Sequence, residues 1–270
     1  TVVIDGAITF KKQQGVGSVV LRKIKSGRLQ SVQFEPSVDI SGTQTPTAAT
    51  TNVSGIERKL ATKSALMILD SHTVDLIDVS FKELHEQICP ALYADVLPDS
   101  SATSAITLTR VKFEKCQADK NAGAMATAGI SSLSIQECEF IDNKSLAGSG
   151  GALYSSCNGK SGCTINIVNS MFKNNSAQIG GGAIKWLDTV PTISKDTTFD
   201  SNSANLSYGS GVAGFPQAVY AAKNLDGDLY VTDRSQADFE HFIDFNNPSI
   251  TKLTSEDLYE GNTLIINDFQ

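Results

Sequence analysis

The chain has 270 residues, with 22 Lys and Arg against 29 Asp and Glu, a net charge of −7 and a pI near 5.0. The acidic balance argues against nucleic acid or an anionic membrane as partner, and no apolar run approaches the roughly 18 residues needed to insert in a bilayer. The length allows one large core or two small domains. The first residue is Thr1, with no Met, basic stretch or apolar leader after it, so either a leader was removed or the chain is a segment of a longer protein; the segment is expected, since both ends lack capping features.

In chain order, residues 1–35 read as two degenerate units of a repeat that becomes clear only later. Phe10 follows Val3 and Ile8, and Phe34 follows Leu29 and Val32 with Ser26-Gly27 as a turn. Residues 41–63 are taken as an inserted loop, since 41–55 are rich in Ser, Thr, Pro and Gly. The pattern resumes at Ala65-Leu-Met-Ile-Leu69 and reaches Phe81 through Val74, Leu76 and Val79. Over 82–89, Leu84 and Ile88 lie four apart and Pro90 follows, which predicts a short amphipathic helix projecting from the wall.

From 106 to 216 the repeat is explicit. Phe113, Phe140, Phe172 and Phe199 are spaced 27, 32 and 27 apart. The third residue after each is Cys116, Asn143, Asn175 and Asn202, and the tenth is Gly123, Gly150, Gly182 and Gly209. Before each Phe, apolar residues alternate with polar ones: Ile106 and Leu108, Leu133 and Ile135, Ile165 and Ile167. A near-constant period with strand-like alternation is the mark of a stacked-coil architecture. The prediction is a right-handed parallel β-helix in which Phe81, Phe113, Phe140, Phe172 and Phe199 stack inside at about the 4.8 Å strand spacing. Asn143, Asn175 and Asn202 then form a ladder at one turn, and the glycines serve tight wall turns. The repeat is lost over 217–270, expected to be a C-terminal extension or the start of another domain.

The paired FxxN and GGA(I/L/V) motifs, clearest at 140–153 and 172–184, resemble the repeats of chlamydial polymorphic outer-membrane proteins. Similar repeats occur in large protist surface proteins. The resemblance implies a β-helical passenger of a surface adhesin, placed outside the cell. It implies as partners the other domains of a larger protein or surface assembly, or a host or matrix protein or carbohydrate.

The remaining residues offer little chemistry. Cys157 and Cys163 bracket five residues, and the period they fall in is five longer than its neighbours, so a disulfide pinching off that loop is expected in an oxidising compartment. Cys138 takes an inward strand position as a buried thiol. Sequons stand at Asn52, Asn143, Asn174 and Asn205; Asn143 belongs to the ladder, and Asn52 and Asn205 are the expected glycan carriers if the source is eukaryotic. His72, His85 and His241 lie far apart, without metal-ligand spacing, and no phosphate-loop motif is present, so no cofactor is expected. The columns after Phe alternate in sign, with Lys115 beside Asp142 and Lys173 beside Asp200, which reads as ion pairing instead of a catalytic carboxylate pair. Tyr154 and Trp186 follow the two best GGA motifs and suggest wall packing or an adhesive spot. The reading is a non-enzymatic scaffold or adhesive stalk. A carbohydrate-active β-helix enzyme and a viral or phage fibre are the alternatives.

Overall fold

The computed structural model describes residues 1–12, 19–36, 64–96, 103–158, 160–187, 189, 191–205 and 212–215. The expected loop at 41–63, the extension at 217–270, and Asn52, Gly209 and His241 lie outside them. Every ladder between strands is parallel, and the strands fall into three sheets of 12, 5 and 7. This is a parallel β-helix.

One coil shows the plan. Leu92–Asp95 belongs to the seven-stranded return sheet, Ala105–Thr109 and Lys112–Glu114 to the long sheet, and Gln117–Ala118 to the short turn sheet. Met125–Ala128 then lies on Leu92–Asp95 and the circuit repeats. Alternation decides which side chains enter the core. Ile106 and Leu108 are buried while Ala105, Thr107 and Thr109 are only partly covered. Register carries this from coil to coil, with Ile106 on Leu133 and Leu133 on Ile165.

The corners on either side of the Phe strand use single residues in the left-handed region. Three positions before Phe these are Ser31, Asp78, Arg110, Glu137 and Asn169, with φ of 48–56°. Two positions after Phe they are Glu83, Lys115, Asp142, Asn174 and Ser201, with φ of 53–56°. A non-glycine residue there costs about 1–2 kcal/mol. The long strand Ser26–Pro36 runs through the first of these corners, whereas later coils break there into two strands.

The helix expected over 82–89 is not formed. Glu83 is left-handed, and His85–Glu86 is a strand paired with Gln117–Ala118. Leu84 is buried three residues after Phe81, at the place of Cys116 and Asn143 in the next coils. The four-residue spacing of Leu84 and Ile88 is thus one inward corner residue and one residue on the outside of the return sheet.

The glycine register is also corrected. Gly123, Gly151 and Gly182 share a column, because a Cβ on Gly123 would meet the Gly151 carbonyl at 1.9 Å and one on Gly151 the Gly182 carbonyl at 1.9 Å. Only glycine lets the backbones approach so closely. Gly150 lies one place earlier with Ala122 and Gly181, at φ of 71°, 62° and 65°. The slip arises because the Phe140 coil holds one more turn residue: Leu153 lies on Met125, yet follows its Phe by 13 positions against 12.

Candidate functional surface

The Phe strands stack in register, Phe81 on Phe113 on Phe140 on Phe172 on Phe199. Ring centroids along this column are 4.9, 4.7, 4.5 and 5.0 Å apart with rings within 10° of parallel. Phe34 and Phe10 extend it at 4.8 and 5.2 Å. Offset stacking at this spacing adds to area burial, and the rings from Phe34 to Phe172 are fully buried.

Beside the rings runs the Asn ladder. Asn143 donates its backbone N–H and its Nδ2 to Asn175 Oδ1 at 3.0 and 2.9 Å, and Nδ2 also donates to the Phe113 carbonyl at 3.1 Å. Asn175 repeats the pattern with Asn202 Oδ1, at 3.0 and 2.9 Å, and with the Phe140 carbonyl at 2.9 Å. Asn202 Nδ2 donates to the Phe172 carbonyl at 2.9 Å. Each amide satisfies the corner backbone of the coil before it.

A second ladder at the other corner is legible only with the first in view. The Cys138 N–H donates to Ser170 Oγ at 3.1 Å and the Ser170 N–H to Thr197 Oγ1 at 3.4 Å. The Val111 N–H meets Cys138 Sγ at 3.4 Å. The Cys138 thiol donates to the Gln136 carbonyl at 3.2 Å, and burial pushes its pKa up to about 11. In the sequence this column changes from Val79 and Val111 to Cys138, Ser170 and Thr197, with polar residues taking over as Asn does at the other corner.

The expected disulfide is absent: Cys157 and Cys163 are both thiols. Cys157 Sγ reaches along the axis to Thr189 Oγ1 of the next coil at 3.2 Å, and Cys163 Sγ turns to the Lys160 carbonyl at 3.8 Å. The loop between them closes without a bridge, its Lys160 N–H donating to the Cys157 carbonyl at 3.0 Å. Among the sequons, Asn143 is fully buried, Asn174 is exposed, and exposed Asn205 donates to Gln178 Oε1 at 2.7 Å.

Outside, the long sheet presents charged columns. Lys173 pairs with Asp200 at 3.4 Å, but Lys115 pairs back to Glu83 at 3.9 Å instead of facing Asp142. Arg110 grips both oxygens of Asp78 at 2.7 and 3.0 Å, and Lys112 bridges Glu114 and Glu139 at 3.3 and 3.5 Å. The bond from Arg110 holds the Asp78 carboxyl below its ordinary range. Bonds from Ser201 and Lys173 do the same for Asp200. A general acid needs the opposite shift. Trp186 points into the core and Tyr154 out of the return sheet, so they form no common spot. Among the described residues no group of three His, Cys, Asp or Glu side chains is placed to hold a metal.

The recurring unit of this surface runs from the left-handed Glu137 through Phe140, Asn143 and Gly151 to the return strand ending at Ser156. Residues 137–156 match the Chlamydia polymorphic membrane protein repeat. The polymorphic membrane protein repeat thus contains one Phe of the stack, one rung of the Asn ladder and one close glycine contact. No curated protein and no solved structure matches the chain.

Proposed function

We propose that this chain is a β-helical segment of a secreted or cell-surface protein, acting as a scaffold or adhesive stalk without chemistry of its own. The observation that carries the reading is the continuity of the ladders. The Phe column passes through seven successive strand levels and the Asn amides bond three coils in line, which builds a stiff rod whose outward residues are left to vary. The matched repeat supports a surface location, since its family is one of surface proteins. With no disulfide between Cys157 and Cys163, the location rests on the repeat. The partners this reading implies are further domains of a larger protein or surface assembly, and a host or matrix protein or carbohydrate.

The carboxylates of the long sheet support a structural role, because Asp78, Glu114, Glu139 and Asp200 each have a cation within 3.5 Å. The test has two arms. Immobilised chain is assayed for saturable retention of matrix proteins and glycans, and soluble chain is incubated with neutral and uronic-acid polysaccharides with reducing-end detection. Retention without turnover, unchanged in Asp142→Asn, is the expected result. Turnover lost in Asp142→Asn would replace this reading with a polysaccharide-cleaving enzyme.

A further inference from the structure

The outer face of the return sheet holds a feature that the ladders and the charged face leave unused. Leu92, Met125, Leu153 and Ile184 point into the core, so the next residue of each strand points out: Tyr93, Ala126, Tyr154 and Lys185. Tyr93 and Tyr154 each pair in register with Ala126, so the two tyrosines stand two strand spacings apart, about 10 Å, across an alanine. Ala128 continues that floor one outward position further on, between Asp95 and Ser156. The result is a groove of about 170 Å³ lined by Tyr93, Tyr154, Ala126, Ala128, Asn121 and Asn158, among others. No charged residue is among the described residues that line it.

The polar groups at its rim are fixed by the backbone. Asn121, which lines the groove, is anchored by its Oδ1 accepting from the Ser149 N–H at 2.8 Å. Asn158 is left-handed at φ 53°, its N–H donating to Ser156 Oγ at 3.0 Å, and its side chain is exposed at the opposite rim.

We propose that this groove binds a single neutral pyranose ring, such as the terminal sugar of a glycan. A cavity of about 150 Å³ accommodates one benzene ring, so this one suits a six-membered ring and not an extended chain. Tyr154 offers an aromatic face to the C–H face of a sugar, and the two amides offer donors and acceptors for hydroxyls. The described lining residues are uncharged and Lys185, in register beside Tyr154, is fully buried, which favours a neutral sugar over a uronic acid, whose carboxylate would lose hydration there. A ligand of this size binds with millimolar affinity, on the order of 1–10 mM. The inference goes beyond the scaffold reading, which stands whether or not the groove is occupied.

The experiment is saturation-transfer NMR on the full chain with the methyl pyranosides of glucose, galactose, mannose and N-acetylglucosamine, and with glucuronic acid as comparator. Transfer to the ring protons of at least one neutral pyranoside is expected, with glucuronic acid weaker. Ala128→Leu, which fills the groove from its floor, should abolish the signal. Asn158→Ala, at an exposed rim position, should weaken binding by about five-fold. Far-UV circular dichroism and retained Trp186 fluorescence establish that each variant is folded, and Asn158→Ala supplies the readout if Ala128→Leu is not. Absence of transfer from every neutral pyranoside at about 20 mM, several-fold above the expected affinity, overturns the proposal. So does preference for glucuronic acid, or undiminished binding in folded Ala128→Leu.

Discussion

Replacing Lys185 with Met should stabilise the fold at pH 7 and leave it unchanged near pH 11. Lys185 lies on the outward side of the return strand Ile184–Leu187 and is fully buried. Among the described residues its Nζ has no hydrogen-bond partner. Burial alone lowers its pKa from 10.5 to about 7. Between those two values the unfolded chain holds a proton that the folded chain has released, so stability rises with pH across that window and is lowest below pH 7. A shift of this size corresponds to at most about 4–5 kcal/mol at the acid end, any water admitted on ionisation reducing it. Met keeps the length and apolar stem without the titrating group. Urea denaturation of both proteins at pH 6, 7, 8.5 and 10 gives the difference directly, and subtraction cancels the other titrating groups. A gain of about 4 kcal/mol at pH 7 that falls towards zero at high pH is expected. A difference independent of pH would show that Lys185 is not held neutral by burial, and the reasoning would fail.

Three further outcomes follow from the ladders and thiols. Asn175→Ala removes four side-chain hydrogen bonds and leaves the Asn143 N–H and Nδ2 without Asn175 Oδ1; a loss of about 3–5 kcal/mol is expected in chemical denaturation. Phe140→Ala opens a cavity between Phe113 and Phe172 and should cost about 3–5 kcal/mol by the same measurement, with a loss under 1 kcal/mol excluding a continuous stack. Alkylation in denaturant without reductant, read by mass spectrometry, should add five labels, whereas a bridge between Cys157 and Cys163 would limit it to three.

The parts of the fold visible in the sequence are those where one side chain per coil repeats its job. Phe recurs because an inward ring stacks best on another ring, so counting from Phe recovers the strand register. Leu84 is harder to read, because this corner position does not always carry a polar side chain. There it is apolar, and its spacing to Ile88 imitates a helix. The glycine slip was hidden by the doublet Gly150-Gly151, either of which fits the motif, and only the backbone approach distinguishes them. The cysteines mislead because loop length permits a bridge without requiring one, and Cys157 Sγ meets Thr189 Oγ1 along the axis instead. The groove was invisible because nothing in Tyr93, Ala126 and Tyr154 repeats; their relation exists only across coils.

The bipartite form of the repeat follows from two separate demands of the coil. After each left-handed corner the next N–H turns inward, where water is excluded and an unmet donor costs about 1–3 kcal/mol. Asn at the third position after Phe meets that demand for the coil before it, as Asn143 does for the Cys116 N–H at 3.0 Å. Cys138, Ser170 and Thr197 meet it at the opposite corner. The glycine half answers a steric demand instead, since successive backbones at Gly123, Gly151 and Gly182 leave no room for a Cβ. Neither half faces solvent, so the motif specifies the rod and says nothing of what the rod displays. The outward column directly after Phe makes the point, running Lys82, Glu114, Ile141, Lys173 and Asp200 over the same buried architecture. Specificity in such a molecule must therefore be sought on the outward positions, and the groove between Tyr93 and Tyr154 is one place where those positions enclose a volume.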